Sequence, residues 1–278
     1  MMTDEIVSQI EAIEQALLKE SVLGFDPAIL SILDDVEIGQ DEIEALKSRL
    51  GADVFTYLFS IANSAYHGSA KMGPVKQFFD VVNRLGMHYT KGLILQFALR
   101  HLARGDDDAE MIFAKDFAAS VVGRVMARGL GFQDDAARKV ELACLLSNVG
   151  ALMMMVYRNH FSPGGMFLTD DFIRTNQRYL TERIIHRFQL PGYLHEMIMT
   201  DGFILERMGI GLPSVVKLAV AAVDWSFRSW DGRLLFRYSQ TSRDGGSAPS
   251  LAAIVEEQFA AAGMKKYLVT LPAPTRLD

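Results

Sequence analysis

The segment Leu142–Tyr157, LACLLSNVGALMMMVY, most narrows what this chain can become. It is almost wholly apolar, so it must be covered. It is shorter than the roughly 20 apolar residues needed to cross a bilayer, and Ser147-Asn148 interrupts it. That leaves a core helix surrounded by other elements. A buried hydroxyl or amide costs free energy unless it is hydrogen-bonded. The polar pair in the middle therefore needs a reason.

The rest of the chain supplies helices to cover it. Thr3 can cap a first helix, with Asp4 and Glu5 in its opening turn and Ile6, Ile10, Ile13 and Leu17 on one face. Asp26-Pro27 starts another, and Asp41–Leu50 a further one that Gly51 closes. Helical spacing continues from Asp53 to about Asn63. It resumes from Pro74 to Gly86, over Tyr89–Leu102, and through Phe117, Val121 and Val125. Asp134–Tyr157 is one long helix or two abutting ones. Thr169-Asp170-Asp171 opens a helix to about Phe188, and others follow from Pro191, over Val215–Trp230 and over Leu251–Ala262. Only Leu234–Tyr238 has an extended character, and one short run makes no sheet. The expected class is all-α. The charged run Gly105–Asp108 reads as a solvated link, and Ser162–Gly165 and Ser239–Ser250 as loops. The expected units are an N-terminal helix (1–25), a helical bundle (26–105), a second helical lobe (110–238) and a loop, last helix and tail (239–278).

Lys and Arg number 28 against 34 Asp and Glu, a net charge of −6, which offers nucleic acid or an anionic membrane no attraction. Cys144 is the single cysteine, so an intramolecular disulfide or a cysteine zinc cluster is excluded, in keeping with a reducing cytoplasm. The acidic, polar start MMTDEIVSQIEAIEQ does not resemble a signal peptide.

Several chemistries lack their residues. No phosphate-binding Gly-rich loop or nucleophile elbow is present. Gly129-Leu130-Gly131 and Gly209-Ile210-Gly211 lack the third glycine of a dinucleotide site. His195-Glu196 begins a zinc-protease pattern that Met199 breaks. Glu182 and His186, one turn apart, suit a local ion pair on a solvated face. Cys144 reads as a small buried hydrophobe and Met153-Met154-Met155 as core filling. Asp106–Asp108 reads as solvated carboxylates.

One segment is more specific. Ala62-Asn63-Ser64-Ala65-Tyr66-His67-Gly68 is followed by a helix ending Val82-Asn83-Arg84-Leu85-Gly86. This resembles the HDOD family, bacterial signalling output domains related to HD phosphohydrolases. Asp26-Pro27-Ala28-Ile29-Leu30 is similar to the family's opening helix, and Phe188-Gln189-Leu190-Pro191 to its Trp-Gly-Leu-Pro. The resemblance covers about Asp26 to Asp224. It implies an N-terminal helical bundle packed on a C-terminal lobe related to HD hydrolases. Asn63-Ser64 would turn the chain and Tyr66 would pack that turn. Asn63, Ser64, Tyr66, Gly68, Leu85 and Gly86 then form the family motif and a candidate interaction region.

In HD hydrolases a His-Asp pair, with a His before and an Asp after, grips metal that activates water. The resemblance places Ser147-Asn148 at that pair. It places the earlier histidine near Phe113-Ala114-Lys115-Asp116, with Lys115 as a cation in its stead, and the family's later His-His near Asp201-Gly202, where Asp201 alone could still ligate. The leading expectation is therefore a non-catalytic regulatory module without metal or cofactor. It would bind signalling proteins or another copy of itself. Two alternatives stay open. One is a metal-dependent phosphohydrolase with an atypical ligand set drawn from Glu182, His186 or Asp201. The other is a nucleotide or second-messenger sensor in which Lys115, Arg124 and Arg183 answer phosphate charge.

Overall fold

In a computed structural model of the chain, the described residues are 4–23, 25–33, 38–64, 73–161, 168–200, 205–206, 209–229 and 251–263. They form α1 (Asp4–Leu17), α2 (Glu20–Leu23), α3 (Ala28–Ile32), α4 (Gln40–Leu46), α5 (Ala52–Ala62), α6 (Phe78–Leu85) and α7 (Met87–Leu102). The second half contributes α8 (Asp107–Gly129), α9 (Asp134–Leu145), α10 (Val149–His160), α11 (Asp170–Arg187), α12 (Tyr193–Met199), α13 (Leu212–Ser229) and α14 (Leu251–Ala261). The fold is all-α. Its one extended feature among the described residues is a two-residue antiparallel pairing of Leu205–Glu206 with Gly209–Ile210. Thr3, Ser162–Gly165, Leu234–Tyr238 and Ser239–Ser250 lie outside the described residues.

α8 and α11 begin at side-chain caps that the sequence supplies. Asp106 accepts from the backbone N–H groups of Asp108 and Ala109, each at 3.1 Å, and opens α8. Its charge and those of Asp107 and Asp108 suit the positive end of the helix dipole. The acidic run is thus a cap and a first helical turn rather than a free link. Thr169 does the same for α11, accepting from Phe172 N–H at 3.1 Å.

α8 is the centre. It packs against both α9 and α13, which also touch each other, while α7 and α10 cross this group. α1 covers α10, and α14 rests on α5 and α8. The buried apolar side chains form one cluster running from Ile10 to Ala262. The apolar stretch is two helices, not one. Asp134–His160 is long and apolar enough to cross a membrane, but 83% of its most apolar window is buried inside the protein. Met153, Met154 and Met155 are all buried, as core filling requires. Each such side chain contributes about 1.5–3 kcal/mol.

The close approach of α10 to α11 depends on Gly150. Its N–H donates to Thr181 Oγ1 at 3.1 Å. A Cβ added there would fall 2.1 Å from Gln177 O and 2.9 Å from Thr181 N, both backbone atoms that cannot step aside. Gly150→Ala is therefore expected to destabilise by about 1–3 kcal/mol, despite a helix-propensity gain of about 1 kcal/mol. Thermal unfolding followed by circular dichroism measures this; an unchanged midpoint would contradict the crossing.

Candidate functional site

The break between α9 and α10 turns Ser147 and Asn148 toward α8. Asn148 is the residue before α10, yet its side chain makes no cap. It reaches instead to Asp116, donating from Nδ2 to Oδ1 at 2.6 Å, while its backbone N–H donates to Oδ2 at 3.3 Å. Ser147 Oγ lies 3.1 Å from the same Oδ1 and 2.9 Å from Cys144 O. Ser147 and Asn148 are half-buried, whereas Asp116 is 1% exposed. Gln96, wholly buried on α7, lies beside Asp116 and donates through Nε2 to Leu145 O. Burial pushes the Asp116 carboxyl up to about 7, against the pull of the Asn148 and Ser147 hydrogen bonds.

Lys115 itself does not reach the pair. Consecutive helical residues point about 100° apart, so only one of Lys115 and Asp116 can face the α9–α10 turn, and it is Asp116. Lys115 points to α13, where Nζ donates to Asp224 Oδ1 at 2.8 Å. Asp116 and Asp224 are site residues that the sequence reading did not single out. The available signal for Asp116 was a lone carboxylate inside the apolar run from Phe113 to Val122. For Asp224 there was no local signal. Asp201 lies outside the described residues, as do Tyr66 and Gly68.

The remaining candidates are also engaged. Arg124 is buried and donates to Glu141 Oε2 at 2.8 Å. Arg183 donates to Glu14 Oε2 at 2.7 Å. The three cations offered for phosphate thus face protein carboxylates. Glu182 pairs with His195 on α12, Oε1 to Nδ1 at 3.3 Å, rather than with His186 on its own helix. Cys144 is fully buried, and burial raises its thiol well above the ordinary value, so it stays neutral.

The family motif has a structural task. Asn63 ends α5, and its side chain clasps the backbone of Val75, accepting from N–H at 2.7 Å and donating to C=O at 3.4 Å. Ser64 Oγ donates to Ile61 O at 2.7 Å and accepts from Gln258 Nε2 at 2.8 Å. Leu85 is buried. Gly86, at φ +87°, joins α6 to α7 in a backbone region that side chains disfavour.

The residues at the junction do not fit a metal ion. A hydrolytic site needs about three protein ligands that are basic or anionic. The pair offers a neutral hydroxyl and a neutral amide, and both oxygens of Asp116 already accept hydrogen bonds. Among the described residues, no three His, Cys, Asp or Glu side chains are grouped to hold a metal.

A profile of the HDOD domain family matches residues 29–200. Among solved structures, a protein from Shewanella amazonensis SB2B described as a "putative metal-dependent phosphohydrolase" is 13% identical. It aligns over 92% of this chain and 97% of that chain with a TM-score of 0.57. An HDOD domain protein of unknown function from Geobacter sulfurreducens is 14% identical over 97% of this chain and 94% of that chain, with a TM-score of 0.47. No curated protein matches the chain.

Proposed function

Because the chain belongs to the HDOD domain family, we propose that it is a non-catalytic regulatory module of signal transduction, acting through protein–protein contacts. The observation that carries this reading is the Asp116–Ser147–Asn148 network. Where a metal-dependent relative would present an imidazole and a carboxylate to solvent, this chain presents a hydroxyl and an amide bonded to a buried acid. Such a junction ties α8 to the α9–α10 turn and has no group poised to activate water. The hydrolase alternative loses support because Glu182 is paired with His195. The sensor alternative loses support because Lys115, Arg124 and Arg183 are each neutralised by a carboxylate. The partners that suit this reading are signalling proteins or a second copy of the chain.

The full chain, purified and analysed for metals by mass spectrometry, should hold no stoichiometric Mn, Fe, Zn or Mg. Supplied with each metal in turn, it should not turn over bis(p-nitrophenyl) phosphate above background. One metal per chain together with turnover would overturn the proposal.

A further inference from the structure

α1 lies outside the residues that match the family. Its Ile10, Ile13 and Leu17, on one stripe, are completely buried. Its charged residues are Asp4, Glu5, Glu11 and Glu14, with no basic residue among them. The stripe packs on α10, whose side chains from Val149 to Val156 are all buried, so α1 supplies one of the walls around the methionine-rich helix. Beside the stripe, Glu14 is 4% exposed. Its Oε2 accepts from Arg183 Nε at 2.7 Å and its Oε1 from Arg187 Nη1 at 2.8 Å. Glu11 stands 3.5 Å from Arg183. Two arginines one turn apart on α11 therefore hold a single carboxylate.

Take α1 away, and α10 with these arginines makes a floor and a rim. Methionine is unbranched and polarizable, so it adapts to differently shaped apolar ligands. Guanidinium forks select carboxylates. An adaptable floor beside a cationic rim is the pattern of helix-in-groove recognition.

We propose that the surface of α10 and α11 beneath α1 is a groove for an acidic amphipathic helix of a partner protein, with α1 as its resident occupant in cis. The partner helix would carry apolar residues spaced as Ile10, Ile13 and Leu17 and a carboxylate in the place of Glu14. This deepens, and rests on, the reading of the chain as a protein-interaction module. Cis occupancy lowers the partner's apparent affinity by the fraction of chains whose groove is open. Any signal that frees α1 thereby raises binding.

The probe is a fluorescent peptide with the sequence of residues 4–17, titrated against the full chain. Glu14→Arg in the chain sets a third cation against Arg183 and Arg187 and should open the groove. The peptide is expected to bind that variant at least about tenfold more tightly than wild type. A peptide carrying Glu14→Arg should bind neither. Adding Arg183→Glu and Arg187→Glu to the chain variant should reclose the groove and abolish binding. No binding of the peptide to the folded Glu14→Arg chain overturns the proposal. If that variant does not fold, hydrogen exchange on wild type decides. Amides of α1 that open well before those of α8 support a displaceable helix, and α1 exchanging only together with α8 overturns it. A wild-type dimer that the peptide dissolves overturns the partner assignment and gives the groove to a second copy. None of these readouts involves metal or hydrolysis, so failure here is distinct from failure of the regulatory reading.

Discussion

Replacing Glu141 with Leu is expected to remove about 3–5 kcal/mol of stability, the usual cost of breaking one side of a buried ion pair. Glu141 is 1% exposed on α9 and Arg124 3% exposed on α8, with 2.8 Å between them. Burial pushes the Glu141 carboxyl up to about 7 against the attraction of Arg124. The pair thus holds charge in a place that resists it. Leucine at 141 would leave the guanidinium with Asp134, which is half exposed, 3.6 Å away and already engaged by Arg128 and Arg138. Replacing both partners, Arg124→Met with Glu141→Leu, should restore stability to within about 1 kcal/mol of wild type, because no charge is left buried alone. Urea unfolding of the three proteins at pH 8 measures both effects. A single leucine variant as stable as wild type would contradict this account of the α8–α9 interface.

The second large effect is on pH. Wild-type stability should fall as pH rises from about 4 to about 7, and Asp116→Asn should remove much of that fall. In the unfolded chain Asp116 titrates near 3.8, but in the folded protein burial raises it to about 7. Between those values the folded state keeps a proton that the unfolded state has shed. The stabilisation is therefore complete below the lower value and lost as pH passes the upper one. A rise from 3.8 to about 7 sets a ceiling of about 4 kcal/mol on this contribution. The geometry agrees with a protonated acid. Ser147 has one hydroxyl hydrogen and two acceptors in reach, Cys144 O and Asp116 Oδ1. A proton on Asp116 lets it donate to Ser147 while Ser147 donates to Cys144. Glu141 shifts in the same direction, so the contribution of Asp116 is read as a difference between proteins. The asparagine variant should match wild type below about pH 4, where Asp116 is protonated in both states, and exceed it at pH 8. Identical pH profiles would refute the assignment.

Local spacing carried the fold. The stripe Ile10, Ile13, Leu17 and the cap at Thr169 are legible because a helix is decided by residues within one or two turns, whereas the cap at Asp106 reads in the sequence as part of a solvated link. The motif around Asn63 was legible as a turn. The site was only half legible. Ser147-Asn148 stood out because polarity inside an apolar run is anomalous wherever it occurs. Its partner Asp116 is 31 and 32 residues away along the chain. Which of two adjacent residues faces a turn depends on how α8 is rotated about its axis, and that is fixed by packing against α9 and α13. The same holds for Lys115 with Asp224, and for Glu182, whose sequence neighbour His186 was the wrong partner and His195 the right one. The break between α9 and α10 was open for a similar reason. The stretch Leu142–Tyr157 across the break is apolar on nearly all sides, so periodicity could not tell one helix from two.

The seating of α14 has a consequence for biosynthesis. Gln258 reaches back 194 residues to Ser64, Arg100 holds Ala262 O at 3.0 Å, and the ring of Phe259 lies 5.7 Å from that of Phe117. The ribosome delivers these residues long after α5, α7 and α8 have left the exit tunnel. Until then the face that receives Phe259 stays wet, and the earlier helices can form only an incomplete core. Closure must wait for residues 251–263, so the core is completed only once they have emerged. A nascent chain stalled before that point would show an apolar seat to whatever chaperone or neighbouring chain is nearby.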